Sequence, residues 1–293
     1  MISAPQPVRA LFLCDVANRI QTGTRQQQRE ALTDLEGDLQ TWRTVLKGDG
    51  TLIGKMLAAA YLHGDLILLA DLIEDATSDL GSLEGVLGPI LVPFDPKDYR
   101  IGKAFPAEFR GTATLYKTLT VADTAAGSPS SSWRDRTWNA IQLHFFKLNA
   151  TENMSAAHAA QWAALADSEP SEFYRNRDVT RDWLKNHEPH LSLGSLYNPI
   201  GKILVAFAIP QFDSYPLRVY DVAAYQRLVY LLFQVKYQHI ATADVAAFLL
   251  AHPEWSTYPV DGKPFRWNPE TSELAVNTLG EHPTGQRFSV RLH

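Results

Sequence analysis

Apolar residues recur at helical spacing through the first seventy residues, and this periodicity restricts the fold more than any other feature. The clearest run has members three or four residues apart: Leu32, Leu35, Leu39, Trp42 and Leu46. Such spacing places the side chains on one face of a helix. Gly48-Asp49-Gly50 then breaks the pattern, and Thr51 can cap the next helix. The pattern predicts consecutive helices with short breaks, as in an antiparallel bundle.

Two other segments show the same periodicity. The first is expected to turn one apolar face inward: Val8, Leu11, Phe12, Val16 and Ile20. The second follows Pro216 and predicts a strongly amphipathic helix with one apolar face: Val222, Tyr225, Leu228, Val229, Leu232 and Val235. The lone Cys14 cannot form an internal disulfide and is expected to be a small buried side chain.

The last residues of the chain change character. Turn residues at 259–264 precede three segments with alternating polarity, at 265–267, 273–276 and 287–291. We therefore predict a mainly α protein, a helical bundle-like body with a small C-terminal β-hairpin or three-stranded antiparallel sheet. Its expected parts are helical residues 1–124, a linker at 125–132, helical residues 133–258 and the β appendage 259–293, together forming one compact unit.

Composition restricts the class of partner. The chain has 293 residues, of which 45% are hydrophobic, and this is enough for a large core without metals or disulfides. Its net charge is -5 and its lysines and arginines are scattered, so a nucleic-acid partner is not expected. The most apolar stretch, 51–73, includes Lys55, His63, Asp65 and Asp71, too many polar groups for a membrane-spanning helix.

No cofactor motif is present. Gly54-Lys55 and Gly201-Lys202 lack the earlier glycine and the following Ser or Thr of a phosphate loop, so each pair is expected to be a helix start whose lysine is solvated or snorkels to the surface. His187 and His190 form a close histidine pair near Asp182, but Pro189 prevents both from sharing a helical face. We predict neither a metal nor a cofactor.

Catalytic candidates carry only weak signals. The Gly-x-Ser-x-Gly pattern of many serine hydrolases is absent. Four residues would be the first to inspect in an enzyme: His187, His190, Asp182 and Ser195.

Tyrosines are frequent between 215 and 237. Because a tyrosine ring is apolar at one end and polar at the other, it is favoured at interfaces. Tyr220, Tyr225 and Tyr230 are the predicted partner-binding residues, with core packing as the alternative interpretation.

Several phrases together carry a family resemblance. They are LQTWR at 39–43, LIGKM at 52–56, NATEN at 149–153, YNPIGK at 197–202, RVYD at 218–221 and DGKPFRW at 261–267. In this order they resemble a family of uncharacterised proteobacterial proteins held in the inner membrane by one N-terminal helix. The resemblance implies an extracytoplasmic domain on the periplasmic side, with its anchor outside this sequence. It implies no activity and no catalytic residue.

Three functions fit these observations. The first is a non-enzymatic cell-envelope protein that binds a protein partner, such as an inhibitor or immunity-type protein. The second is a hydrolase acting on cell-wall or polyester-like material, which requires a pocket with converging polar groups. The third is a purely structural component of the envelope.

Overall fold

A computed structural model describes residues 5–75, 84–118, 146–186, 197–208, 214–280, 282 and 286–292. Within these ranges the helices are α1 (Pro5–Thr22), α2 (Arg25–Lys47), α3 (Leu52–Asp75), α4 (Glu84–Leu91), α5 (Phe105–Thr118), α6 (Leu148–Ala166), α7 (Pro170–Asn186), α8 (Pro199–Ala208), α9 (Ser214–Tyr237), α10 (Val245–Ala251) and α11 (Pro253–Ser256). Short 3-10 turns span Pro96–Tyr99, Gly102–Ala104 and Thr242–Asp244. The predicted mainly α class is confirmed.

The small C-terminal sheet is also confirmed. Its strands are β1 (Arg266–Asn268), β2 (Glu273–Ala275) and β3 (Ser289–Arg291), antiparallel in the order β1-β2-β3. Trp267 pairs with Leu274, and Leu274 pairs with Val290. Leu274 and Val290 are buried, so this face of the sheet belongs to the core.

The chain forms two compact units. Unit 1 contains Met1–Gly48, Ile53–Tyr99 and Pro216–His293, and unit 2 contains Asp49–Leu52 and Arg100–Tyr215. These units do not follow the consecutive parts predicted from the sequence, because the C-terminal residues join the N-terminal helices in unit 1. The predicted linker at 125–132 lies outside the described residues.

Helix α9 is buried nearly all round. From Pro216 to Val235 almost every side chain is inaccessible, including the polar Asp221 and Gln226. The prediction of an amphipathic helix with one apolar face is therefore wrong. A helix buried on all sides needs partners for its polar groups, because an unpaired polar group costs free energy in the absence of water.

Gln226 obtains those partners from the segment after α4. Its Oε1 accepts hydrogen bonds from the Phe94 amide and the Tyr99 hydroxyl, both at 3.2 Å, and its Nε2 donates to the Val92 carbonyl at 2.9 Å. Arg43 of α2 lies over the Phe94 ring at 3.9 Å. These contacts fix residues 92–99 on α9.

Helix α1 turns a charged residue inward instead of its predicted apolar face. Val8 and Leu11 are 68% and 71% exposed, whereas Val16 is buried. Arg9 donates to Asp38 of α2, to the fully buried Asp65 of α3, and to the Tyr61 carbonyl at 3.2 Å. Because these hydrogen bonds need Arg9 inside, α1 is rotated so that Val8 and Leu11 face solvent. Cys14 is exposed as well, so its predicted burial is wrong.

In the cluster of Arg9, Asp38 and Asp65, one guanidinium group contacts two carboxyl groups. Burial raises the pKa of Asp65 to about 9, and the negative charge of Asp38 adds to that rise, while Arg9 opposes it. A proton on Asp65 leaves the Arg9–Asp38 pair electrically balanced. The cluster is therefore a neutral, protonated contact between α1, α2 and α3.

Helix α3 is the one described helix that is long and apolar enough to cross a membrane, by length and composition, and half of its most apolar window is buried. Its Lys55 is fully buried and not solvated as predicted. The ammonium group donates to the carbonyls of Leu46 and Gly48, the latter at 2.6 Å. A cation at the carbonyl end of α2 is favourable because the helix dipole is negative there.

In unit 2, the YNPIGK phrase forms a tight junction. Asn198 has a φ of 59° and is buried. Its side chain accepts from the Lys147 amide at 2.8 Å and donates to the Thr151 hydroxyl at 2.9 Å. Asn198 therefore joins the beginnings of α6 and α8. Gly201 lies against this junction, where an added Cβ would be 2.0 Å from the Thr151 oxygen.

Gly201→Ala should destabilise the protein. The new methyl group must displace the buried Asn198–Thr151 hydrogen bond, so we expect a loss of about 1–3 kcal/mol in the free energy of unfolding. Gly111→Ala is the matched control, because nothing lies within 4 Å of its added Cβ. In a helix interior that change should stabilise by up to about 1 kcal/mol. Urea unfolding measures both, and equal stabilities would contradict the tight junction.

Candidate functional site

A continuous series of rings lies on the surface of unit 1. Trp255 stacks on His252 with centroids 5.0 Å apart, and meets Tyr230 edge-on at 4.8 Å. His252 in turn contacts Phe248 at 4.7 Å. All four side chains are partly exposed. We call this group of Tyr230, Phe248, His252 and Trp255 the aromatic surface.

Local sequence explains how the aromatic surface is formed. Pro253 ends α10, since the residue before a proline avoids helical backbone, and Pro253 then occupies the first turn of α11. The buried Leu249 anchors α10, and the Ser256 hydroxyl donates to its carbonyl at 2.7 Å. The short helices α10 and α11 are thereby fixed at a bend, and His252 at that bend contacts both Phe248 and Trp255.

Glu254 adds a negative charge to this surface. Its side chain is 54% exposed, and its carboxylate lies 3.4 Å from the His252 Nδ1. Burial, followed by the negative charge of Glu254, raises the pKa of Tyr230. The carboxylate is thus close to both His252 and Tyr230.

A second group of polar side chains surrounds Asp221 in the interior. Its carboxylate accepts from the Tyr258 hydroxyl, from the Leu279 amide at 3.0 Å, from the Gly280 amide at 2.7 Å and from the His282 Nε2 at 2.7 Å. Two carboxylate oxygens offer about four acceptor positions. Asp221 is therefore fully occupied, and it has no acceptor position left for a substrate proton or a metal ion.

Glycine is required where this loop approaches α9. An added Cβ on Gly280 would lie 2.9 Å from both the Arg218 amide nitrogen and the Asp221 carboxylate. Tyr258, on the other side of Asp221, is buried, and burial together with the Asp221 charge raises the pKa of its hydroxyl well above the usual value. Tyr258 therefore acts as a neutral donor.

His63 holds the last strand segment against α3. Its Nε2 lies 2.9 Å from the Arg287 carbonyl, and its Nδ1 lies 2.8 Å from the Gln286 Nε2. Since a carbonyl only accepts, the proton is on Nε2, and Nδ1 accepts from the glutamine amide. The ring stacks on Phe288 at 4.5 Å, and burial lowers the pKa of His63 to about 4. His63 is thus a neutral structural histidine.

The three predicted partner-binding tyrosines differ in how far they are buried. Tyr220 and Tyr225 are fully buried, which fits the alternative interpretation of core packing, and they offer no surface to a partner. Tyr230 remains partly exposed and belongs to the aromatic surface.

Of the catalytic candidates, His187, His190 and Ser195 lie outside the described residues. Asp182 is exposed on α7. In the described parts of the chain, no group of three or more His, Cys, Asp or Glu side chains is arranged to hold a metal ion.

An open cavity of about 370 Å³ lies on the sheet, lined by Arg266, Trp267, Asn268, Pro269, Glu273 and Ala275. Among the described residues that line it, Glu273 is the one acidic side chain, and none is a histidine, serine or cysteine. These residues do not include a nucleophile with an adjacent base, which nucleophilic catalysis requires.

Sequence reasoning missed Phe248, His252 and Trp255 as members of a common surface. They lie close in sequence, and Pro253 signals the bend that brings their rings together. Comparisons with protein-family models, curated proteins and solved structures find no match to this chain.

Asp221→Asn should strongly destabilise unit 1. An amide keeps one acceptor oxygen and replaces the other with an NH2 group, which would face the amide of either Leu279 or Gly280, so at least one part-buried N–H loses its partner. We expect a loss of about 3 kcal/mol in the free energy of unfolding. The control Asp244→Asn alters an exposed aspartate and should change stability by less than about 0.5 kcal/mol. Similar urea midpoints for the two variants would contradict the buried role of Asp221.

His63 should make the protein sensitive to acid. Its pKa is about 4 in the folded state, against an ordinary value of 6.5, so the unfolded state binds the extra proton between these values. Stability is then lost as the pH falls through this interval, by about 3 kcal/mol. His63→Gln keeps a donor and an acceptor but does not titrate.

The measurement is the free energy of unfolding at pH 7 and pH 4 for both proteins. The raised pKa of Asp65 works in the opposite direction, since acidification favours its protonated folded form, but it affects both proteins equally. Wild type should therefore lose about 3 kcal/mol more than His63→Gln. Equal losses would show that His63 is protonated in the folded protein.

Proposed function

We propose that this chain is a non-enzymatic protein that binds a protein partner through the aromatic surface. The observation that carries the proposal is the unbroken series of partly exposed rings from Tyr230 to Phe248. Aromatic side chains are enriched at protein interfaces, and a few such anchors contribute most of the binding free energy.

The contrast with the interior of unit 1 supports this choice. Asp221 and His63 have all their hydrogen-bonding capacity filled by the protein itself. The rings of the aromatic surface instead retain accessible area while being fixed in position by packing. A rigid side chain loses little conformational entropy on binding, which favours its use as an anchor.

The proposal also extends to location. From the sequence resemblance alone, we propose that the protein lies on the periplasmic side of a bacterial inner membrane and is held there by an N-terminal anchor. An inhibitor or immunity-type partnership is the version of the binding function that suits this location. The described residues do not favour the hydrolase, since Asp182 is exposed and the described residues that line the sheet cavity include no nucleophile with an adjacent base.

Tyr230→Ala should strongly weaken partner binding. The tagged protein would be expressed in a proteobacterial host, and stoichiometric co-purifying proteins quantified by mass spectrometry. Tyr197→Ala removes a tyrosine that is 63% exposed in unit 2 and serves as the matched control. We expect one partner with wild type and with the control, and at least about a tenfold loss with Tyr230→Ala. A partner retained by Tyr230→Ala, or none with wild type, would overturn the proposal.

A second experiment avoids removing a packed ring. Glu254→Cys in a Cys14→Ser background allows a bulky polymer to be attached at the aromatic surface. The native Cys14 is exposed on α1 and provides the matched attachment site in the wild-type protein. Modification at residue 254 should block capture of the partner, whereas modification at Cys14 should not. Equal capture after both modifications would place the interface elsewhere.

A further inference from the structure

We propose that the partner segment that contacts the aromatic surface is basic and presents an arginine side chain to Glu254 and the adjoining rings. This inference rests on the proposed function, and it specifies the chemistry of the partner. It follows from the charges around the rings.

The segment that forms this surface is acidic. Residues 238–262 include Asp244, Glu254 and Asp261 but no lysine or arginine. Asp261 is paired with Lys263 at 2.8 Å, whereas Asp244 and Glu254 are exposed. Arg227 comes near from α9, but it is partly buried and its guanidinium donates to the Thr257 carbonyl at 3.1 Å. The exposed formal charge here is therefore negative.

Glu254 is available to a ligand. Its carboxylate lies 3.4 Å from the His252 Nδ1, which is long for a hydrogen bond, and more than half of its side chain is exposed. A carboxylate with free acceptor positions can pair with a guanidinium through two parallel hydrogen bonds.

The rings add to the attraction for a cation. The face of an aromatic ring carries partial negative charge, and arginine both stacks on such faces and pairs with carboxylates. An ammonium group lacks the planar shape that does both at once, so arginine fits better than lysine. An acidic segment would instead meet Glu254 and Asp244 with like charge, which disfavours binding.

The test uses a defined probe. A short fluorescent amphipathic peptide of Leu, Ala and Arg is compared with its counterpart in which each Arg is citrulline, a neutral group of similar shape. Binding to the full chain is measured by fluorescence anisotropy. We expect the arginine peptide to bind wild type about tenfold more tightly than the citrulline peptide.

Two lysine variants show whether the preference for arginine depends on the charge of Glu254 itself or on the net charge of the protein. Glu254→Lys should remove the preference for the arginine peptide. Glu30→Lys makes the same change of charge at an exposed position on α2 and should preserve the preference. Equal binding of the two peptides to wild type, no measurable binding of the arginine peptide, or equal effects of the two lysine variants would each overturn the inference.

Tyr230→Ala distinguishes failure of the inferred basic contact from failure of the proposed binding function. If that variant loses the cellular partner while Glu254→Lys retains it, the surface binds a partner whose contact is not basic. If Tyr230→Ala retains the cellular partner, the proposed function fails and the inference fails with it.

Discussion

Two buried polar side chains on α9, a helix with little accessible surface, determine how unit 1 is assembled. Asp221 and Gln226 lie on α9, which is buried nearly all round. Since buried polar groups need partners, other segments must pack where their donors and acceptors meet these side chains. Residues 92–99 bind Gln226, and Tyr258, Leu279, Gly280 and His282 bind Asp221. Residues near the end of the chain, such as Leu274 and Val290, therefore contribute to the core of unit 1.

Whether a group is already engaged within the protein separates structural side chains from those available to a partner. Asp221 and His63 resemble catalytic residues by type, yet every polar atom of each is engaged within the protein. The aromatic surface has the opposite character, because packing holds its rings in place while part of their area stays accessible. Function is therefore proposed at the surface, where binding capacity remains.

Much of the fold could be predicted from periodicity and turn residues. The leucine run of α2, the Gly48–Gly50 break and the alternating segments near the C-terminus are all local signals, and the structure has helices and strands there. The orientation of α1 could not be predicted in this way. Val8 and Leu11 have the spacing of a buried face, but the hydrogen bonds of Arg9 to Asp38 and Asp65 turn that face to solvent. Those partners lie on other helices, so no local pattern reveals them.

Local sequence patterns also do not predict which residues of the candidate site are exposed. Tyrosines 220, 225 and 230 look equivalent in the sequence, whereas packing around α9 buries Tyr220 and Tyr225 and leaves accessible area on Tyr230. The sequence by itself determined the secondary structure, the acidic character of residues 238–262 and the bend at Pro253, because these depend on neighbouring residues. Only the tertiary structure decided which polar groups are satisfied and which rings stay exposed, because both depend on segments far apart in the chain that meet only on folding.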